Sequence, residues 1–130
     1  MCGVFALYHS KVTQDQLIQR AKRAVELSAI RGVESVGIFL ASDEKVVVLK
    51  RNWLPKKFVN SPDFHEFFKS AFTELKLAGQ PCLLVGQTRL ATTGSSALES
   101  NNQPLVTENI VGVHNGIFEG LGTIKSQWLE

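Results

Sequence analysis

Two cysteines, Cys2 and Cys82, are all that 130 residues contain, and neither belongs to a Cys-x-x-Cys pair. That scarcity argues against a disulfide framework and for a reducing compartment, so a cytoplasmic location is expected. His9, His65 and His114 are scattered. No His/Cys cluster has ligand spacing, so neither a metal nor another cofactor is expected. Long apolar runs are missing too: none approaches the ~20 residues that cross a bilayer. The opening Met1 to Tyr8 is apolar but has no basic leader and runs into His9, Ser10 and Lys11, too short a stretch for a signal peptide. Charge of one sign is also wanting. With 14 basic and 12 acidic residues the net charge is +2, too mild to imply nucleic acid or a membrane surface as partner. There is no internal repeat and no low-complexity segment.

What is present fits a folded domain. Hydrophobic residues make up 44% and charged residues 20%, which excludes the composition of disorder, and the length suits one domain over 1–130. Val4 to Tyr8 reads as a buried strand. Thr13 reads as an N-cap with Gln16 closing a capping box, followed by a stripe of Leu17, Ile18, Ala21, Ala24, Val25 and Ser28 at helical spacing, with Gly32 ending the region. Val36–Ala41 and Lys45–Lys50 read as a hairpin around Ser42-Asp43-Glu44. The stretch from Arg51 to Asn60, with Pro55 inside it, reads as a loop. Ser61 and Pro62 then open a helix whose Phe64, Phe67, Phe68, Ala71, Phe72 and Leu75 share one face, a core stripe with Gly79 as its stop. Cys82–Val85 is an apolar strand running into Gly86-Gln87-Thr88-Arg89. The polar stretch from Thr92 to Asn102 has neither period. Ile110–Val113 reads as a strand ending at His114-Asn115-Gly116, and a further helix is expected from Leu121 to Glu130.

Chemistry gathers where these strands end. If Met1 is removed, Cys2 carries a free α-amine that is partly unprotonated at neutral pH and can take the thiol's proton, so one residue supplies nucleophile and base. The plainer reading is a buried cysteine on a first strand. Asn115 and Gly116 can offer a side-chain amide and a backbone N–H to a developing oxyanion. The plainer reading is a tight Asn-Gly turn. Arg89 brings a planar fork suited to a carboxylate, with the hydroxyls of Thr88, Thr92 and Thr93 beside it and Gly94 permitting a tight loop. Here the plainer reading is a solvated arginine among surface threonines.

Taken together, five stretches resemble the class II, N-terminal-nucleophile glutamine amidotransferases: Met-Cys-Gly-Val-Phe at 1–5, Arg-Gly-Val-Glu-Ser-Val-Gly at 31–37, Thr-Arg-Leu-Ala-Thr-Thr-Gly at 88–94, Asn-Asn-Gln-Pro at 101–104 and Val-His-Asn-Gly-Ile at 113–117. The resemblance implies an α+β fold, the αββα sandwich of antiparallel sheets of N-terminal-nucleophile hydrolases. Residues 1–130 would be the front portion of that glutaminase domain, with the sandwich incomplete. It implies that Cys2 forms a glutamyl thioester from L-glutamine and releases ammonia. In that role Asn115 and Gly116 match the oxyanion pair, and Arg89 matches the arginine for the substrate's α-carboxylate. Thr92 and Thr93 fall at adjoining pocket positions, and Arg31 matches an arginine near the nucleophile. A synthase domain or subunit that accepts the ammonia is the implied partner, and an exposed sheet edge leaves a homo-oligomer open. The chain departs from the family at Gln87, where members commonly have His, and at Leu90 and Thr93, where some carry Trp and His. The family's aspartate for the α-amino group belongs to a later stretch. The alternative is therefore a catalytically inactive binding or regulatory remnant of the same fold.

Overall fold

The structure, a computed structural model, describes residues 1–91, 95 and 97–116. Their order is β1 (Gly3–His9), α1 (Gln14–Ser28), β2 (Ser35–Ala41), β3 (Val46–Arg51), α2 (Pro55–Val59), α3 (Pro62–Glu74), β4 (Cys82–Arg89), a 3₁₀ turn (Glu99–Asn101), β5 (Leu105–Val106) and β6 (Val111–Gly112). The class is mixed α and β with antiparallel sheets, as expected.

The helices start where their side chains satisfy the first free N–H groups. Thr13 Oγ1 accepts from Gln16 N at 3.2 Å, and Gln16 Oε1 accepts from Thr13 N at 3.1 Å, the reciprocal box expected for α1. Ser61 caps α3 by accepting from Phe64 N, with Pro62 in the first turn, where its missing N–H costs nothing. The loop expected between Arg51 and Asn60 is corrected: it holds α2. Pro55 fixes the first turn of α2, and Phe58 and Val59 are driven inward as adjacent fully buried residues. A single turn is too short to display a helical period.

Four strands form one sheet in the order β1-β4-β2-β3, every neighbour antiparallel. The expected hairpin is β2–β3, with Ala41 opposite Val46. The other pairings are non-local, and β4 lies between β1 and β2. Strand residues alternate faces. Phe5 and Leu7, Leu84 and Cys82, Val36, Ile38 and Leu40, and Val47 and Leu49 share one face and join a single core with Leu17, Val25, Phe58, Phe64 and Phe68 of the helices. The phenylalanine stripe of α3 is this core. Phe64 packs edge-to-face on Phe58 and on Phe68, with ring centres 5.5 and 5.0 Å apart.

The opposite face has no described helix on it. Val4, Tyr8, Val46 and Leu83 are exposed there, and Phe39 and Val85 at its centre are buried. One end of this face is crossed by the returning chain around residues 102–104 and 114. The short ribbon β5–β6 pairs Leu105 with Gly112 and Val106 with Val111. The strand expected at Ile110–Val113 is therefore present as β6, with a partner at 105–106 that periodicity did not suggest. The helix expected over 121–130 lies outside the described residues. No helix among the described residues is long and apolar enough to cross a membrane.

Candidate active site

Antiparallel pairing brings the start of β1, the end of β4 and the start of β2 to the same end of the sheet. Gly3 lies opposite Thr88, and Ser35 opposite Arg89. That register delivers Cys2 to the chain just beyond β4, where its Sγ lies 3.6 Å from the carbonyl oxygen of Leu90. Gly3 fits only because it has no side chain. A Cβ there would meet Ser28 O at 2.3 Å and Thr88 Oγ1 at 2.7 Å, while Thr88 Oγ1 donates to Ser28 O at 2.7 Å.

Asn115 comes to the same place from far along the chain. Cys2 N donates to Asn115 Oδ1 at 3.1 Å. With Oδ1 so engaged, the side-chain NH₂ of Asn115 is the group turned to other acceptors. Gly116 has φ +153°, a conformation other residues rarely adopt, and a Cβ on it would press within 3.1 Å of His114 Nε2. Both Asn115 and Gly116 are exposed. Arg31 is exposed as well, and its Nε donates to Cys2 O at 3.3 Å. Cys2, Arg31 and Asn115 are thus brought together.

Arg89 stands apart from its plainer reading. It is the last residue of β4 and is 7% exposed, and its Nη1 donates to Asn102 Oδ1 at 2.8 Å. The same oxygen accepts from Ser35 Oγ at 2.9 Å, and Asn102 is fully buried. The guanidinium is held by a buried amide and does not float in solvent. Glu34 N donates to Arg89 O at 2.9 Å, which ties the 31–35 segment to the end of β4. Thr92, Thr93 and Gly94 lie outside the described residues.

Sequence reasoning missed the row that carries the returning chain. Val4, Gln87, Gly37 and Lys50 are mutual neighbours across the four strands on the open face. Lys50 Nζ donates to Asn102 O at 3.0 Å and to Pro104 O at 3.2 Å. Gly37 leaves room for the Gln103 carbonyl, which a Cβ would meet at 1.8 Å. Gln87 Nε2 donates to the carbonyl of His114. Gln103 grips the same residue twice: its Nε2 donates to His114 O at 3.0 Å, and its Oε1 accepts from His114 N. The Asn-Asn-Gln-Pro stretch was visible as a motif, but only non-local pairing reveals what it rests on.

The second cysteine is no rival to Cys2. Cys82 is buried at the far end of β4, and burial pushes its thiol above the ordinary range, which keeps it protonated. An open groove between α1, β3 and α3, lined by Ile18, Arg51, Asp63 and Phe67 among others, touches none of the candidate site residues. No group of three or more His, Cys, Asp or Glu side chains among the described residues could hold a metal ion.

No family model matches the chain. Curated proteins do. A glutamine–fructose-6-phosphate aminotransferase (isomerizing) of Rhizobium meliloti is 29% identical over 127 residues, 98% of this chain and 18% of the relative. Its namesake in Brucella abortus is 29% identical over 129 residues, 97% of this chain and 18% of the relative. That of Buchnera aphidicola is 30% identical over 127 residues, again 98% and 18%. The resemblance read from the motifs is thus found along the whole chain, against the N-terminal glutaminase domain of a class II glutamine amidotransferase. The chain spans about 18% of the length of these relatives.

Proposed function

We propose, from that kinship, that this chain is the glutamine-hydrolysing part of a glutamine amidotransferase, with Cys2 as nucleophile once Met1 is removed. The observation that carries the reading is the bond between Cys2 N and Asn115 Oδ1, which joins two sequence-distant motifs at one point. The role of the chain as a glutamine amidotransferase is supported by its relatives. The roles of single residues are our own assignment.

In this mechanism the freed α-amine of Cys2 takes the thiol proton, and Asn115 Oδ1 holds that amine in place. Sγ adds to the side-chain amide carbon of L-glutamine, and the carbonyl electron pair moves onto oxygen. Asn115 Nδ2 and the N–H of Gly116 stabilise that oxyanion, each donor contributing about 2.7–4 kcal/mol in comparable sites. Collapse breaks the C–N bond, and ammonia leaves with the proton held on the amine. Water then adds to the thioester, the C–S bond breaks, and glutamate and the Cys2 thiol are restored. Arg89, aimed by Asn102, pairs with the substrate's α-carboxylate through two parallel hydrogen bonds. Thr92 and Thr93 are assigned to glutamine binding, and Arg31 steadies the Cys2 carbonyl.

In the same reading, residues 1–130 are the front portion of the glutaminase domain. The four-stranded sheet is one layer of an αββα sandwich, and its open face is where the second sheet stacks. Ammonia passes to a synthase domain or subunit, and the protein works in the cytoplasm. The test is glutamate release from glutamine, with the N-terminus read by mass spectrometry. Cys2→Ala is expected to lower the rate by at least about 10⁴-fold without changing thermal stability. Equal rates for the native protein and Cys2→Ala would end this reading. A retained Met1 together with no turnover would favour the inactive remnant.

A further inference from the structure

We infer that Gln87 is a positioning residue for this reaction: through the His114 carbonyl it fixes Asn115 against Cys2. The inference rests on the functional reading above and adds to it a residue outside the reacting groups. Gln87 is 1% exposed, within the row of the open sheet face that the returning chain crosses. Its Oε1 is buried with no hydrogen-bond partner, and its described side-chain bond runs from Nε2 to His114 O. A carbonyl cannot donate to a carbonyl, so the amide must present nitrogen to His114 and leave its oxygen unpaired. An apolar residue of similar length would fill this place without an orphaned acceptor. What it would lack is a donor aimed at His114.

That donor acts on a rigid lever. The His114 carbonyl and the Asn115 N–H belong to one planar peptide unit, so fixing the oxygen fixes where residue 115 begins. The preceding unit is fixed too, because Gln103 Oε1 accepts from His114 N. With both planes around His114 held, the Asn115 side chain reaches Cys2 N from a set origin. Asn115 makes the interaction that strengthens in the transition state, whereas Arg89 is held separately by Asn102. A loosened His114 therefore weakens turnover more than glutamine binding.

The experiment measures kcat and KM for glutamine in the complete protein, normalised to the amount of Cys2 titrated by an electrophile. Gln87→Met removes the donor at nearly constant length. It is expected to lower kcat roughly 10-fold or more with KM held within about twofold, as a misplacement of the order of 1 Å would. Gln87→His, which keeps an N–H donor, is expected to recover most of the loss. Gln103→Glu keeps the acceptor for His114 N, replaces the donor to His114 O with a carboxylate oxygen that faces that carbonyl, and lies in a half-buried loop. It is expected to shift kcat in the same direction by a smaller factor. An unchanged normalised kcat in Gln87→Met and Gln103→Glu overturns the inference, as does a proportional change in kcat and KM. If the native protein does not turn over glutamine, or Cys2→Ala does, the functional reading has failed instead.

Discussion

The two faces of the four-stranded sheet are held by different forces. On the helix side, Leu17, Ile38, Leu40, Phe58, Phe64, Phe68 and Leu84 are wholly buried, and their contacts with one another are apolar and without fixed direction. On the other side, Gln87, Arg89, Ser35 and Lys50 meet Asn102, Pro104 and His114 through named donors and acceptors. Volume governs the first face, so shape-conserving changes are tolerated there. Direction governs the second, where a change of one atom leaves a buried group unpaired. The candidate site lies at the end of the sheet where the second face carries Arg89 and the returning chain. Alignment of reacting groups demands direction, and dispersion contacts supply little of it.

That contrast can be broken from either side. The largest stability effect is expected from Phe64→Ala, which removes a ring packed against Phe58 and Phe68. It should cost about 3–5 kcal/mol in denaturant titration while leaving the KM of the surviving folded protein unchanged. A changed KM would show that the two faces are not separable. Asn102→Leu should do the reverse. It strips the shared acceptor from Arg89 and Ser35. The expected loss is about 1–3 kcal/mol of stability, accompanied by a clear rise in KM for glutamine. A stability loss with KM intact would deny Arg89 its assigned role.

The smallest effect concerns His9, on the helix side at the end of β1. Burial and, secondarily, the Arg20 guanidinium lower its pKa below the ordinary value of 6.5. Arg20 Nη1 lies 2.8 Å from His9 Nδ1, which fits a neutral ring accepting at that nitrogen. The unfolded chain therefore binds the proton more readily than the folded one. Stability is full above the ordinary histidine range, falls as pH drops through it, and levels off below the folded pKa. Thermal melts between pH 7.5 and 5 should show this slope in the native protein and less of it in His9→Gln. Identical slopes would assign the acid sensitivity elsewhere.

Much of the helix-side architecture was legible in the sequence because its signals are local. Thr13 with Gln16, Ser61 with Pro62, and the phenylalanine spacing each declare themselves within a few residues. The site was legible as motifs but not as an arrangement. Cys2, Arg89 and Asn115 could be singled out by chemistry, yet nothing within reach of any one of them announces that Gly3 faces Thr88 or Ser35 faces Arg89. Asn102 was visible only as part of a motif and Gln87 only as a departure from the family, and what each one holds stayed hidden for the same reason. A polar residue in an apolar strand or an aperiodic loop looks ordinary until its distant partner is known. The helix α2 was missed because one turn shows no period, and the partner of β6 because two residues show no alternation.

The pairing of β1 with β4 also sets an order of events during synthesis. β1 is an edge strand whose described neighbour in the sheet is β4, so it emerges from the ribosome long before anything can zip onto it. Throughout that interval residue 2 lacks the neighbours that surround it in the fold. It gains its neighbours only when a segment translated much later closes the ladder. The synthesis of β1 and the completion of its sheet are thereby kept apart in time by topology alone.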